Sequence, residues 1–451
     1  MKKIIVMILT AALLPLSLYA QQKAQTEEIK SQAEVYDQDM AASSRQRSYL
    51  TDGVQFGGWI TTTLYDQWSK DQKLIAGTLD TRIWAKSYIW KDIFVYGRIK
   101  DSFTHIMKNE DSGDLDKNDN LLELDMAYAG ASTADKSMTV SAGRKFYTVG
   151  TGLVLNGRGD GAEFGYYSPA VNITVLSMYT GLLSEDSNPY GLSSKDISDG
   201  ARRAFAGGVF SRTMQNQTVY AFALAQLDMQ KNAKDDKTKY DSQYWGAGSK
   251  GFVGENVSYY GELVYETGKS YTGSGNKESI SAYAVNAEAD YYFNTKFNPT
   301  AIFQYAMGSG DIDRNTKDPD GNGSGKDRGF TYFGTYLGGY ALRPYLMNVH
   351  VFRAGGSISP TAESDKLLFK RMHVIFKYSL YLKDNKNAPL SDGGASGNKR
   401  LAGHGLDLAY KWMLYSDLSV FMNCAMFIPG SAYPTDSPNQ YFVFGGFNFA
   451  F

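Results

Sequence analysis

The last eleven residues of the chain, Tyr441 to Phe451, alternate strictly between two sets of side chains (YFVFGGFNFAF). This period of two predicts a β-strand, because successive side chains of a strand point to opposite faces of its sheet. An ordinary sandwich strand at a C-terminus is the alternative for this stretch alone. One predicted face is aromatic and apolar, with Tyr441, Val443, Gly445, Phe447, Phe449 and Phe451. The other face is mixed, with Phe442, Phe444, Gly446, Asn448 and Ala450.

The first twenty residues predict a secretory signal peptide that is removed from the mature protein. Two lysines follow the first methionine, and an apolar run broken by Pro15 leads to the predicted cleavage site after Ala20. A transmembrane anchor is the alternative, and both Pro15 and the shortness of the apolar run argue against it. Residues 21–50, rich in Gln, Glu and Ala, are expected to form a periplasmic N-terminal extension without a core of its own.

Charge and cysteine content exclude several classes of protein. The chain holds 46 basic and 47 acidic residues, and this balance gives no indication of nucleic-acid binding. Its single cysteine, Cys424, cannot form an intramolecular disulfide, and no cysteine follows the signal peptide for lipid attachment. An exported chain of 451 residues without disulfides must therefore be stabilised in another way.

Composition and periodicity together favour a membrane barrel. Beyond the signal peptide, no apolar run is long enough to cross a bilayer as a helix. The chain nevertheless contains 33 Tyr, 24 Phe and 46 Gly residues, which suits a wall that is apolar outside and polar inside. A secreted β-solenoid would share this composition but would show an internal repeat, and the sequence shows none.

From Val54 onward the sequence divides into runs of about ten residues, the length of a tilted strand that crosses a membrane. The first three predicted strands cover 54–65, 82–89 and 93–100. The others lie near 121–132, 137–147, 161–168, 170–180, 203–213, 217–228, 241–253, 256–267, 279–293, 299–308, 346–359, 366–382, 403–414, 417–428 and 440–451.

The predicted connections alternate in length along the chain. Lys91-Asp92 and Gln215-Asn216 are two of the short turns, whereas residues 148–160, 181–202 and 309–345 are three of the long polar loops. Short periplasmic turns and long extracellular loops produce this asymmetry, and a soluble sandwich has no reason to show it. The predicted fold class is all-β: over residues 51–451, a closed antiparallel transmembrane β-barrel of about 18 strands.

The inward face of these strands is predicted to line a pore with both signs of charge. Opposed acids and bases create a transverse field and a hydrated constriction that suits polar solutes. The alternative is that each charge forms an ion pair that braces neighbouring strands. The candidates are Arg82, Lys86, Arg98, Lys100, Lys145, Arg371, His373 and Lys377, together with Glu123, Asp125, Glu262, Glu266, Glu288, Asp290 and Asp407.

Cys424 falls on the opposite, outward face. It shares that face with Met422 and Met426, whereas Asn423 and Ala425 turn inward. A thiol in this position is expected to act as a small apolar wall residue.

Five segments carry a resemblance to a known family: LLELDMAYAG (121–130), GRKFYTVGTGLVLNGRGDG (143–161), YAMGSGD (305–311), GHGLDLAYKW (403–412) and AMFIPG (425–430). They resemble the alginate-export family of bacterial outer-membrane β-barrel porins. The resemblance implies an eighteen-stranded barrel that exports an anionic polysaccharide through a pore with arginine and lysine side chains. The C-terminal strand also resembles the closing strand of outer-membrane barrels, which implies that the barrel-assembly machinery recognises Phe447, Phe449 and Phe451.

No cofactor is expected, and loop-bound calcium is the alternative. Asp318, Asp320 and Asn322 occupy the first, third and fifth positions of a calcium-loop pattern. Gly329 stands at the twelfth position, where the pattern requires a bidentate carboxylate.

Catalysis is not expected either. The chain has four histidines, and none of them lies in a recognisable hydrolase motif with a nucleophile and an orienting group.

The sequence therefore predicts an outer-membrane channel for hydrophilic solutes, with polysaccharide export as the variant that the resemblance implies. The expected partners are membrane lipid, lipopolysaccharide, the barrel-assembly machinery and the solute. The longest loop, 309–345, is expected to fold inward as a constriction or lid. The alternative function is a non-conducting surface protein whose extracellular loops bind a partner.

Overall fold

The computed structural model describes residues 49–51, 53–70, 73–109, 117–230, 239–271, 277–314, 322–323 and 325–451. The predicted signal peptide lies outside these ranges, and so does all of the predicted N-terminal extension except its last two residues. Both therefore stay predictions. No helix within the described ranges has the length and apolar character that crossing a membrane would require.

The described part of the chain is built almost entirely of strands. Three short helical elements occur in the connections: a 3-10 turn (Glu185–Ser187), α1 (Ser194–Asp199) and α2 (Leu367–Lys370). The strands are β1 (Tyr49–Thr51), β2 (Val54–Trp68), β3 (Lys73–Trp90), β4 (Ile93–Asn109), β5 (Lys117–Ser132), β6 (Met138–Val149), β7 (Leu155–Tyr167), β8 (Asn172–Tyr179), β9 (Arg203–Met214), β10 (Gln217–Asp228), β11 (Tyr240–Val253), β12 (Val257–Tyr271), β13 (Lys277–Tyr292), β14 (Thr300–Gly308), β15 (Val349–Ile358), β16 (Met372–Lys383), β17 (Leu401–Met413), β18 (Leu418–Pro429) and β19 (Gln440–Ala450).

Strands β2 to β19 form one closed antiparallel barrel, in which each strand pairs with its neighbours in sequence and β19 pairs with β2. Just beyond that last ladder, Gly58 and Phe451 exchange two backbone hydrogen bonds of 2.9 Å each. Closure satisfies the backbone groups that an open sheet would expose at its edges. The prediction of a closed barrel with eighteen strands is confirmed for the described residues, and β1 adds only a three-residue pairing to the start of β2.

Every predicted strand overlaps an observed one, but several boundaries differ. β7 begins at Leu155 instead of 161, because its first residues pair with β6 in a part of the chain that was predicted to be an outer loop. β16 begins at Met372 instead of 366, because Leu367–Lys370 form the short helix α2. β15 begins at Val349, three residues later than predicted. Alternation identifies the parts of strands with one apolar and one polar face, and it misses extensions without that contrast.

The two faces of the wall differ as the alternation predicts. On β12, the outward side chains of Leu263 and Tyr265 are exposed, while those of Glu262 and Glu266 are buried inside. Cys424 is half-buried on the outward face of β18, next to the buried Asn423 and Ala425. The inward side chains are buried because segments of the chain fill part of the barrel interior and pack against them.

One of these segments is the top of the β6–β7 hairpin. The β5–β6 ladder ends at Ala127 opposite Arg144, and the β7–β8 ladder ends at Asp160 opposite Tyr179. The β6–β7 ladder continues to Val149 opposite Leu155, so residues 145–159 leave the wall. We call these residues the inner hairpin. Its tip residues Leu153 and Val154 are fully buried within the barrel, so the prediction of an outer loop over 148–160 was wrong.

Glycine makes this departure from the wall sterically feasible. Gly143 has a φ of 126°, and a Cβ on it would lie 2.3 Å from the carbonyl oxygen of Ala127. The backbone of β6 at Gly143 therefore lies too close to β5 for a residue with a side chain, at the point where their ladder ends.

The long connection after β14 also turns inward, as expected. We call its described residues, 309–314, 322–323 and 325–348, the inner loop. Its residues Phe330 and Leu346 are fully buried. The backbone N–H of Phe333 donates to the carbonyl of Val154 at 2.8 Å, and that of Thr335 donates to Gly152 at 3.0 Å. The inner loop and the inner hairpin therefore form one unit, the inner assembly.

Candidate functional site

Two groups of charged side chains lie on the inward face, beside the inner assembly. The first is on β3, β4, β5 and β7, and the second is on β13 to β17. In the closed sheet, β8 to β12 separate the groups on one side, and β18, β19 and β2 separate them on the other. The two groups therefore face each other across the barrel.

The first group, the β3–β7 cluster, combines four cations with three carboxylates, a surplus of one positive charge. Lys100 lies 3.4 Å from Asp80, and Arg158 donates to Glu123 at 2.9 Å. All seven side chains are nearly or fully buried, so each charge depends on its partners for compensation. The members are Asp80, Arg82, Arg98, Lys100, Glu123, Asp125 and Arg158.

Strand register explains how the wall brings these charges together. Arg82 lies directly opposite Lys100 on β4, and Lys100 lies opposite Glu123 on β5, so the three form one inward row. The ladder shifts by one residue between Arg98 and Ile99, which leaves Asp125 as the extra residue of a β-bulge. Asp125 contacts Arg98 from this position, and it lies 3.7 Å from Arg82.

Sequence reasoning missed two members of the cluster: Asp80, which lies just before the predicted strand over 82–89, and Arg158. Arg158 stands in the segment that was predicted to be an outer loop, and the inner hairpin carries it inside the barrel. There its guanidinium donates to Asp125 at 2.5 Å as well as to Glu123. The density of glycines from 150 to 161 is the only sequence signal that this segment is unusual.

The second group, the β13–β17 cluster, is organised by Arg353 on β15. Arg353 donates to Asp407 at 2.7 Å and to Gln304 at 3.1 Å. Gln304 in turn donates to Glu288 and accepts a hydrogen bond from Lys377 at 3.3 Å. Register again aligns these groups, since Glu288 lies opposite Gln304 and Gln304 lies opposite Arg353.

A cavity of about 480 Å³ adjoins this cluster on the side of the short turns. Glu288 and Asp290 line it, together with Lys250 and Tyr260 from β11 and β12. Gln215 and Asn216 of the β9–β10 turn also line it. The cavity therefore lies along the barrel wall, at the end of the barrel that is predicted to face the periplasm.

The other predicted candidates lie away from both clusters. The ammonium of Lys86 lies 4.1 Å from the centre of the Phe94 ring, and that of Lys145 lies 2.7 Å from Glu163. Arg371 immediately precedes β16 and contacts the sulfur of Met413. His373 is exposed, and its Nδ1 is 3.0 Å from the Ser359 hydroxyl.

Glu262 and Glu266 on β12 contact the inner assembly rather than a charge cluster. Glu262 accepts hydrogen bonds from Thr151 at the tip of the inner hairpin. Glu266 accepts a hydrogen bond of 2.9 Å from the backbone N–H of Thr331 in the inner loop. The barrel wall therefore bonds both parts of the inner assembly through one strand.

The connection between β8 and β9 completes the packing beside the β3–β7 cluster. Arg203 at the start of β9 donates to the carbonyl of Tyr190 at 2.8 Å and bonds Asp196 on α1. In the 3-10 turn, the hydroxyl of Ser187 donates to Glu123 at 2.6 Å. The loop predicted over 181–202 therefore contributes buried contacts as well as surface.

The predicted calcium positions are only partly described. Asp318 and Asp320 lie outside the described ranges, and Asn322 is buried. Within the described ranges, no three His, Cys, Asp or Glu side chains are grouped closely enough to hold a metal ion. Calcium binding at this loop stays a prediction.

The chain matches one family model, described as alginate export, over residues 190–442, which is more than half of its length. No curated protein sequence matches it. Among solved structures, it is similar to Pseudomonas aeruginosa OccK5 (OpdH), with 11% identity and a TM-score of 0.57 over 88% of this chain and 98% of that chain.

Two further structures from the same organism show the same relationship. The crystal structure of OccK2 (OpdF) in complex with glucuronate has 11% identity and a TM-score of 0.54, over 89% of this chain and 99% of that chain. The outer-membrane protein OprD has 10% identity and a TM-score of 0.54, over 88% of this chain and 94% of that chain. At these identities the similarity shows a shared fold, that of outer-membrane barrels.

Proposed function

The chain belongs to the alginate export family and has the fold of an outer-membrane porin, and from this premise we propose that it is a channel for hydrophilic solutes that carry a carboxylate. The observation that carries the proposal is the β3–β7 cluster, whose surplus of positive charge lies inside a closed barrel next to the inner assembly.

The barrel supplies the physical conditions for such a channel. Its apolar outer face suits lipid, and its inward face provides charged and hydroxyl groups that can replace the water around a polar solute. A carboxylate is stabilised by arginine side chains through charge-assisted hydrogen bonds. The acidic groups of the facing β13–β17 cluster add a transverse field, which orients a solute that carries both a negative group and hydroxyls.

A uronate is the solute class that this proposal favours. OccK2, which shares the fold, was crystallised with glucuronate, and alginate is a polymer of uronates. Passage of single uronates and export of a polyuronate chain are two forms of the same proposal, and they differ in the width of channel that they need. The inner assembly occupies part of the barrel interior, so the geometry favours the passage of single uronates, which need the narrower channel.

The proposed location is the outer membrane, with lipopolysaccharide outside the barrel and the barrel-assembly machinery as the insertion partner. Phe447 and Phe449 are exposed on the outer face of β19, where the predicted insertion signal requires them. Removal of Phe451 should lower the amount of protein that fractionates with outer membranes, whereas Cys424→Ala should not. Equal amounts of the two variants would contradict the proposed signal.

Recordings from the purified protein in planar bilayers test the proposed function. We expect single-channel steps, reversal potentials that favour anions in a salt gradient, and a current that glucuronate reduces more than glucose does. Steps with equal block by the two sugars would contradict uronate preference. Absence of steps would favour the non-conducting surface protein instead, a function that dense packing of the inner assembly would also suit.

A further inference from the structure

We propose that Glu262 and Glu266 are positioning residues that hold the inner assembly against the barrel wall and thereby set the largest solute that the channel admits. This inference rests on the proposed function for its consequence in transport. The contacts themselves can be tested without any transport measurement.

Glu262 holds the tip of the inner hairpin. Its carboxylate accepts hydrogen bonds from the backbone N–H of Thr151 at 2.7 Å, from the Thr151 hydroxyl at 2.8 Å and from the Tyr220 hydroxyl at 2.8 Å. Gly150 has a φ of 62°, and a Cβ on it would lie 2.1 Å from the carboxylate. The tip therefore approaches the carboxylate as closely as glycine permits.

Glu266 holds the inner loop in a similar way. It accepts hydrogen bonds from the backbone N–H of Thr331 at 2.9 Å and from the Tyr240 hydroxyl at 2.6 Å. The Tyr244 hydroxyl lies 3.2 Å from the same carboxylate and donates to the carbonyl of Thr331 at 2.9 Å. The wall therefore bonds both the backbone N–H and the backbone carbonyl of Thr331, in a place without solvent access.

The two attachments belong to one mechanical unit. Glu262 and Glu266 are four residues apart on one face of β12, about 13 Å along the strand. The segments that they hold are joined by the hydrogen bonds from Phe333 to Val154 and from Thr335 to Gly152. If either the inner hairpin or the inner loop moves away from β12, these hydrogen bonds must break or the other segment must move with it.

A carboxylate is the group that this geometry requires at position 262. Three donors, two hydroxyls and one backbone N–H, converge on its two oxygens. A glutamine would offer one acceptor oxygen and would direct its own N–H groups at the remaining donors. Buried donors left without an acceptor favour the displaced state of the hairpin, in which water can reach them.

The first test measures access to the hairpin without current. In a protein with Cys424→Ala, a single cysteine is introduced by Leu153→Cys, because Leu153 is buried at the tip. We expect Glu262→Gln to raise the rate of maleimide labelling by about tenfold, the effect of losing one or two net hydrogen bonds. The matched control is Glu255→Gln, an exposed glutamate in the turn between β11 and β12.

The second test measures the size limit in planar bilayers with graded polyethylene glycols. We expect Glu262→Gln and Glu266→Gln to admit larger polymers than the wild type and the Glu255→Gln control. Tyr220→Phe keeps the carboxylate and removes one donor, so it serves if Glu262→Gln fails to give a heat-modifiable barrel. Tyr220→Phe should raise both the rate of maleimide labelling and the size limit for polymers, but by a smaller factor than Glu262→Gln.

The outcomes separate the two proposals. Unchanged labelling in a folded Glu262→Gln or Tyr220→Phe barrel overturns the holding role, whether or not the wild type conducts. Faster labelling with an unchanged polymer limit overturns the role in size selection. A wild type without current, but with faster labelling in the variants, overturns the proposed function and leaves the holding role in place.

Discussion

Arg353 on β15 donates a hydrogen bond of 2.7 Å to Asp407 on β17, so the pair spans the strand between them. Both side chains are buried. Asp407 also accepts the backbone N–H of Tyr340 at 3.1 Å, and Arg353 also donates to the carbonyl of Leu337 at 3.1 Å. One ion pair therefore joins three strands of the wall to the inner loop.

Asp407→Ala should destabilise the barrel strongly, because it leaves a buried guanidinium without its carboxylate. We expect a loss of about 3–5 kcal/mol in the free energy of unfolding, measured by denaturant titration in detergent. The double change Arg353→Met with Asp407→Leu removes both charges and should recover most of this loss. An unfolding midpoint of Asp407→Ala equal to that of the wild type would show that the pair contributes nothing.

Gly58→Val should impair closure of the barrel. A Cβ at Gly58 would lie 2.5 Å from the carbonyl oxygen of Arg82 and 2.6 Å from the ring of Phe451. Relief of this crowding must disturb the bonds that Gly58 and Phe451 exchange, and the expected cost is about 1–3 kcal/mol. Heat-modifiable mobility on gels after refolding measures the closed fraction.

Gly261→Val is the matched control for that experiment. A Cβ at Gly261 meets open space, because no heavy atom outside Gly261 and its two chain neighbours lies within 4 Å of it. We expect normal refolding of this variant. If both variants refold to the same closed fraction, close approach at Gly58 is not what limits closure.

Arg158→Met should shift ion selectivity toward cations. The change removes one of the four cations in the β3–β7 cluster, so the three remaining cations only balance its three carboxylates and the surplus positive charge is lost. One charge about 8 Å from a passing ion in water is worth about 0.5 kcal/mol, or about a twofold change in the permeability ratio. Reversal potentials in a salt gradient measure it, with Lys296→Met, at an exposed ion pair in the β13–β14 turn, as control. Equal reversal potentials in all three proteins would exclude the cluster from the ion path.

Asp311 should make stability depend on pH. Burial, followed by the neighbouring carboxyl of Asp313, raises the pKa of Asp311 from 3.8 to about 6. The folded protein therefore binds this proton more tightly than the unfolded chain, so the stability it contributes is present below about pH 4 and is lost as the pH rises through about 6. We expect the wild-type melting temperature to fall more steeply from pH 4.5 to 7.5 than that of Asp311→Asn. Parallel curves for the two proteins would contradict this assignment.

Alternation was sufficient to locate the wall. Leu263 and Glu262 are adjacent in sequence and differ fully in exposure, because neighbouring residues of a strand must face opposite sides. Unequal loop lengths supplied the direction of the strands, and the YFVFGGFNFAF run supplied the closing strand. These properties are local, so they can be read from a few consecutive residues.

Arg158 and Asp125 illustrate what could not be read in the same way. Arg158 looks like a loop residue in sequence, since the glycines around it mark an unusual segment but do not show that its hairpin leaves the wall. Asp125 was predicted to line a pore, whereas the structure buries it in the β3–β7 cluster. The bulge that places it there shifts the pairing of all later residues on β5 with β4, and a single extra residue is not visible in the sequence pattern. Both depend on where a ladder of hydrogen bonds ends.

The sequence by itself determined an eighteen-stranded barrel with an apolar exterior and a polar interior, because period two, turn chemistry and strand length each act over about ten residues. Only the tertiary structure decided what occupies the interior. Glu262 and Thr151 are 111 residues apart, and they meet because the wall closes on itself and brings β12 within reach of a hairpin from β6 and β7. Such a contact depends on the diameter of the closed barrel, which no short stretch of sequence records.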